Sequence, residues 1–193
     1  MSSLIPKIYK CDLRWIIISA KNFTIKEYQF LTSSGVCKTV ALYFCDIKND
    51  DGTSVAFEKL FENIQKIEDF SVECSDNSFS MFKPHTFNNL ADVTSNTSLE
   101  RFSLSYLRED FDISTTLDFL LKNDNKYVFL DYCLHSPISD AYKEILETCI
   151  AKIIATPPKR IPHIYFPGFS GSTLYIDYKK LYDACYNFLR PLP

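Results

Sequence analysis

Cys133 stands two positions before His135, and a cysteine served by a histidine can make a nucleophile and its base. Such a pair works only where the imidazole lies within hydrogen-bond reach of the sulfur and a third group orients it. No local signature of a cysteine enzyme surrounds either residue, so a cysteine-nucleophile hydrolase is the alternative reading and a non-enzymatic chain the main expectation. Gly168-Phe169-Ser170-Gly171 misses the G-x-S-x-G elbow, because Gly171 follows Ser170 directly. Asn49, Asp51, Gly52 and Glu58 fall at positions 3, 5, 6 and 12 of a calcium-loop template, but position 1 is Ile47, which offers no carboxylate. A polar turn is expected there instead. The seven cysteines, at 11, 37, 45, 74, 133, 149 and 185, form no C-x-x-C pair and no zinc-like spacing with His85, His135 or His163. They read as reduced core thiols, with no metal and no cofactor.

Composition narrows the choice further. Only 4 glycines occur, too few for glycine-rich phosphate loops, and a net charge of −3 without a dense Lys/Arg run leaves no footprint for nucleic acid. No run of 18 apolar residues is present, so no membrane is expected. Met1 to Lys10 contains no long apolar stretch of the kind an export signal needs. A cytoplasmic or nuclear location follows, and the sequons at Asn22 and Asn96 are then chance matches. Hydrophobic residues at 46% against 23% charged place the chain among folded globular proteins.

The elements that must position any site come from five apolar pairs in L-x-L form: Ile16/Ile18, Val40/Leu42, Phe70/Val72, Phe102/Leu104 and Val128/Leu130. Counting from Ile16 to Leu42, Val72, Leu104 and Leu130 gives steps of 26, 30, 32 and 26 residues. Such periods lie near the leucine-rich-repeat range, in which one strand and one helix form each unit and neighbours stack to bury a core. The expected fold class is α/β, a leucine-rich-repeat-like stack of about five strand-helix units with a C-terminal cap. Its expected divisions are a lead-in at 1–10, the repeat domain at 11–156 and a capping segment at 157–193. Thr24-Ile25-Lys26-Glu27 has capping-box form, and Gly35 suits the end of that helix. Phe57, Leu60, Phe61 and Ile64 mark a helical face, Phe87 and Leu90 suggest a helix begun near Pro84, and another starts near Ser114 with Leu117, Leu120 and Leu121 inward. Ser139 is the expected cap of a helix whose stripe is Tyr142, Ile145, Leu146, Cys149, Ile150 and Ile153. A short extended stretch at His163 to Phe166 and a helix from Tyr178 to about Leu189 complete the chain.

If the L-x-L residues face the core, their neighbours line the opposite face of the sheet. That face carries Trp15 and Ile17, Ala41 and Tyr43, Ser71 and Glu73, Arg101 and Ser103, and Phe129 and Asp131. Aromatic residues beside charges of both signs suit protein recognition, and Trp15, Ile17, Tyr43, Glu73, Arg101, Phe129 and Asp131 are the candidate binding residues. The competing expectation packs Trp15, Ile17 and Phe129 beneath an N-terminal part or the C-terminal tail.

A set of motifs in one order adds a resemblance. They are Phe23-Thr24-Ile25-x-x-Tyr28-x-Phe30-Leu31-Thr32-Ser33-Ser34-Gly35, Lys48-Asn49-Asp50-Asp51-Gly52-Thr53 with Phe57-Glu58-Lys59-Leu60, Phe111-Asp112-Ile113, Ile138-Ser139-Asp140-x-Tyr142 with Ile153-Ile154-Ala155-Thr156, and Pro162-His163-Ile164-x-Phe166-Pro167-Gly168. Over most of residues 8 to 170 the chain resembles a large nematode F-box-type protein family. The resemblance implies a leucine-rich-repeat-like part that selects targets for a ubiquitin ligase, which the family's N-terminal F-box joins through a Skp1-type adaptor. Here about a dozen residues precede the first strand, and Leu4-Ile5-Pro6 is too little to serve as an F-box. The expectation is the target-binding half alone, with no segment to recruit that adaptor, or else a decoy or decayed fragment of the family.

Overall fold

The computed structural model describes residues 11–187. The lead-in at 1–10, with Leu4-Ile5-Pro6, and the last two positions of the expected C-terminal helix lie outside the described residues. The protein is mixed α/β, with a six-stranded parallel sheet, and divides into two compact units at residues 1–104 and 105–193.

In the first unit, β1 (Trp15–Ser19), β3 (Thr39–Tyr43) and β5 (Asp69–Glu73) run parallel, followed by the start of β6 (Arg101–Leu107). The register sets Ile16 against Val40 and Val40 against Phe70, with Ile18, Leu42 and Val72 matched in the same way. The first step is therefore 24 residues rather than the 26 counted from the sequence. Both members of an apolar pair face the same side of a strand, so the pattern alone cannot distinguish registers two residues apart. Ile16, Val40, Leu42, Phe70, Phe102 and Leu104 are buried, and Ile18 is half-buried.

The strands bend at their ends. Ala20 and Phe44 both take left-handed conformations, at φ 49° and 53°. The Ala20 N–H still reaches the Tyr43 carbonyl at 2.8 Å and the Phe44 N–H the Glu73 carbonyl at 2.9 Å, so the ladder holds through each bend. Beyond the bends, β2 (Asn22–Thr24) and β4 (Asp46–Lys48) form a second, two-stranded parallel sheet that the sequence does not announce.

Helix α1 (Ile25–Thr32) begins with the expected capping box. The Glu27 carboxylate accepts from the Thr24 N–H at 2.8 Å, the Thr24 hydroxyl accepts from the Glu27 N–H, and Gly35 sits at φ 65° after the helix. Phe57, Leu60, Phe61 and Ile64 are all buried, but their segment is a 3-10 helix at Phe57–Phe61. Ala56 supplies no side-chain cap, and the short turn closes with i to i+3 bonds such as Lys59 N–H to the Ala56 carbonyl. Helix α2 (Thr86–Ser95) starts just after Pro84 and buries Phe87 and Leu90.

In the second unit, the end of β6 leads to α3 (Ile113–Lys122), β7 (Tyr127–Tyr132), α4 (Asp140–Ala155), β8 (His163–Tyr165) and α5 (Tyr175–Asn187). Helix α3 is capped by Asp112, whose carboxylate accepts from the Ser114 N–H at 3.0 Å. It buries Leu117 and Leu120 and leaves Leu121 half-buried. Ser139 caps α4, which buries Tyr142, Leu146, Cys149, Ile150 and Ile153. Ile145 is 44% exposed, a correction to the expected stripe: at 3.6 residues per turn it falls on the margin of the face the others define.

The stretch expected to be merely extended is β8, a sixth strand paired parallel to β7 with Leu130 opposite Ile164. Helix α5 starts three residues earlier than expected, at Tyr175, and is tied to the segment leading into β8. The Tyr178 hydroxyl donates to the Pro162 carbonyl, the Tyr186 hydroxyl to that of Ile161 at 3.1 Å, and the Cys185 thiol to that of Lys159 at 3.4 Å.

Candidate functional site

In the first unit the face opposite the core is most open at β1. Trp15 and Ile17 are each 65% exposed, and Leu13, two positions before Trp15, is 41% exposed. β1 is a terminal strand of the sheet, paired only with β3 among the described residues. Tyr43 and Glu73 are half-buried. Arg101 is exposed but its charge is engaged: the guanidinium donates to Asp69 Oδ2 at 2.7 Å. Ala41 is buried although it belongs to this face, lying between Ile17 and Ser71 in register with only a methyl group to present.

In the second unit Phe129 and Asp131 are half-buried and already engaged within the protein. Asp131 Oδ1 lies 3.1 Å from His163 Nε2, and the His163 ring lies 5.8 Å from that of Phe129. A ladder of rings continues from His163 to Tyr182 at 5.5 Å, to Tyr186 at 4.3 Å and to Tyr127 at 5.7 Å, where the Arg160 guanidinium stacks at 3.8 Å. Burial pushes the Tyr182 and Tyr186 hydroxyls up, with Asp131 adding to the effect at Tyr182. Helix α5 thus brings Tyr182 to His163, the residue that also meets Phe129 and Asp131.

Cys133 closes β7. Burial pushes its thiol up, but the N–H groups of His135 and Ser136, the Ser136 hydroxyl and the Arg108 charge together hold it below its ordinary value. The His135 contribution comes from the main chain, and its side chain is exposed. Cys11, Cys37, Cys45, Cys74 and Cys149 are buried, and burial raises each thiol.

At the acidic loop, Ile47 is buried in β4, and Asp51 Oδ1 accepts from the Thr53 N–H at 2.9 Å and from its hydroxyl at 2.6 Å. Asp50 pairs with Lys26, and Gly52 turns the chain at φ 82°. These groups are spent on the turn, and among the described residues no cluster of three or more His, Cys, Asp or Glu could hold a metal ion. No helix among the described residues is long and apolar enough to cross a membrane.

One further feature escaped the sequence reading. A cleft of about 200 Å³ between β8 and α5 is walled by Tyr165, Phe169, Tyr175 and Tyr182, with Lys179 and Asp183 bonded to each other at 2.5 Å. Its walls come from separate elements, and no local motif marks it.

Fold and site together define a mixed α/β protein with an open apolar pair on a terminal strand. Compared with known protein families, with curated proteins and with solved structures, the chain gives no match.

Proposed function

We propose that this chain is a non-enzymatic protein-interaction domain of leucine-rich-repeat-like build, nearest in kind to the target-recognition part of F-box-type ubiquitin-ligase receptors. The observation that carries the reading is the pair Trp15 and Ile17, each 65% exposed on one side of a terminal strand. An exposed tryptophan next to an aliphatic residue is the composition of a binding hot spot, where an aromatic anchor is desolvated by the partner. The stack is supported by equivalent positions of β1, β3 and β5 lying side by side. The family resemblance is supported by its motifs forming local structure: the Thr24/Glu27 capping box and left-handed turns at Gly35, Gly52 and Gly168. The setting of this activity is cytoplasmic or nuclear.

Affinity capture from native lysate tests this reading with wild type beside Trp15→Ala/Ile17→Ala. Truncating a tryptophan hot spot costs about 2 kcal/mol or more, roughly thirtyfold in affinity. Proteins held by wild type should be lost in the variant. Equal capture by both chains would refute recognition through this face.

A further inference from the structure

The residues of β1 that expose apolar side chains are also those whose main chain faces away from the sheet. In a parallel pair, alternate residues turn both their N–H and their C=O toward one neighbour. The Arg14 carbonyl accepts from the Lys38 and Thr39 N–H groups and the Ala20 N–H donates to Tyr43, so the even-numbered residues of this stretch turn toward β3. Trp15, Ile17 and Ser19 then present their amides and carbonyls at the open edge, and no strand among the described residues lies beyond it. Trp15–Ser19 contains no charge and no proline of the kind that blunts an edge, and the strand ends are where charge appears.

Each end carries an exposed cation, Arg14 before the strand and Lys21 after it. The Arg14 and Lys21 side chains are exposed and, among the described residues, pair with no acidic side chain; Asp12, near Arg14, is exposed too and has an interaction of its own. Seven positions separate Arg14 from Lys21, which lies just past the bend at Ala20. A complementary occupant has apolar residues at its centre and acidic residues at both ends. We infer that β1 accepts an extended, acid-flanked apolar peptide segment of a partner protein as an added strand. Main-chain bonds at Trp15, Ile17 and Ser19 would supply affinity, while Trp15, Ile17 and the two cations select the sequence. This inference rests on the protein-recognition reading and specifies its mode.

The chain has a single tryptophan, Trp15, so its emission reports directly on the edge. Three synthetic peptides serve as probes: Asp-Glu-Val-Thr-Val-Thr-Val-Glu-Asp, the same core with lysine at both ends, and the acidic peptide with alternate amides N-methylated. The acidic peptide should shift Trp15 emission to shorter wavelength and saturate. The lysine-flanked peptide, and the acidic peptide on Arg14→Glu/Lys21→Glu, should bind about tenfold more weakly, a difference that shrinks at high salt. N-methylation should abolish binding. Equal binding of the N-methylated peptide would overturn strand addition and leave side-chain recognition at Trp15 standing. No response to any peptide would also overturn it, whether the chain sediments as a dimer with its edge taken by a second copy or as a monomer. The capture experiment reports on protein recognition independently of these outcomes.

Discussion

Replacing Phe70 with alanine should lower the unfolding free energy by about 3–5 kcal/mol, the range for removing a buried aromatic ring without refilling its space. Phe70 has no exposed surface. Its ring packs 4.3 Å from Phe61, 6.0 Å and edge-on to Phe57, and 6.4 Å from Phe102 in a stacked arrangement. These rings come from three consecutive strand units, so the cavity would open where the layers meet and could not be filled by the movement of one loop. With a urea dependence of about 2–3 kcal/mol per molar, the midpoint should fall by roughly 1–2 M. Phe70→Leu, which keeps most of the volume, should recover more than half of the loss. A loss below about 1 kcal/mol for the alanine variant would contradict the packing described.

Alkaline pH should destabilise the protein under reducing conditions, with stability declining from about pH 9. Burial pushes the Cys74 thiol from 9.0 up to about 12. A thiol whose folded value is raised keeps its proton longer in the folded chain. Its contribution is therefore complete below pH 9 and is lost as pH climbs toward 12, at about 1.4 kcal/mol per pH unit. By pH 11 this one group removes about 3 kcal/mol. Burial also raises Cys11, Cys37, Cys45 and Tyr28 in the same unit, so the decline should be steeper than one proton allows. Urea midpoints taken from pH 8 to 11 should fall steadily, and Cys74→Ala should flatten the curve by about one proton while lowering stability modestly at neutral pH. An unchanged slope in that variant would show that the Cys74 thiol does not titrate with unfolding.

The strands were legible because each carries two apolar residues two positions apart, and burial of one sheet face requires that spacing. The same degeneracy concealed the register, so Ile16 had to be paired with Val40 by the structure. Helix starts could be read where a side chain does the capping, as at Thr24 and Ser139, and less well near Ser114, where Asp112 caps from two residues earlier. The β2–β4 sheet was hidden because its three-residue strands depend on left-handed bends at Ala20 and Phe44, residues whose types give no sign of such a conformation. The open face was legible as a set of alternating residues. Its division was not, since Arg101 meets Asp69 across 32 positions and Phe129 meets His163 across the whole of α4. Contacts of that kind depend on where distant segments come to lie, and no local pattern encodes them. The thiol at Cys133 is a milder case: its proximity to His135 was visible, but the contact is with the main-chain N–H.

Recognition through the β1 face is tested most directly by placing a photo-crosslinking benzophenone amino acid at Ile17, and separately at Ile145, in chains expressed in cells. Both positions are exposed and apolar, at 65% and 44%, but Ile145 lies on α4 and outside the proposed surface. Irradiation should give a discrete protein adduct at position 17 that is absent or several-fold weaker at position 145. No adduct at 17, or equal adducts at both positions, would contradict the assignment of this face to protein binding.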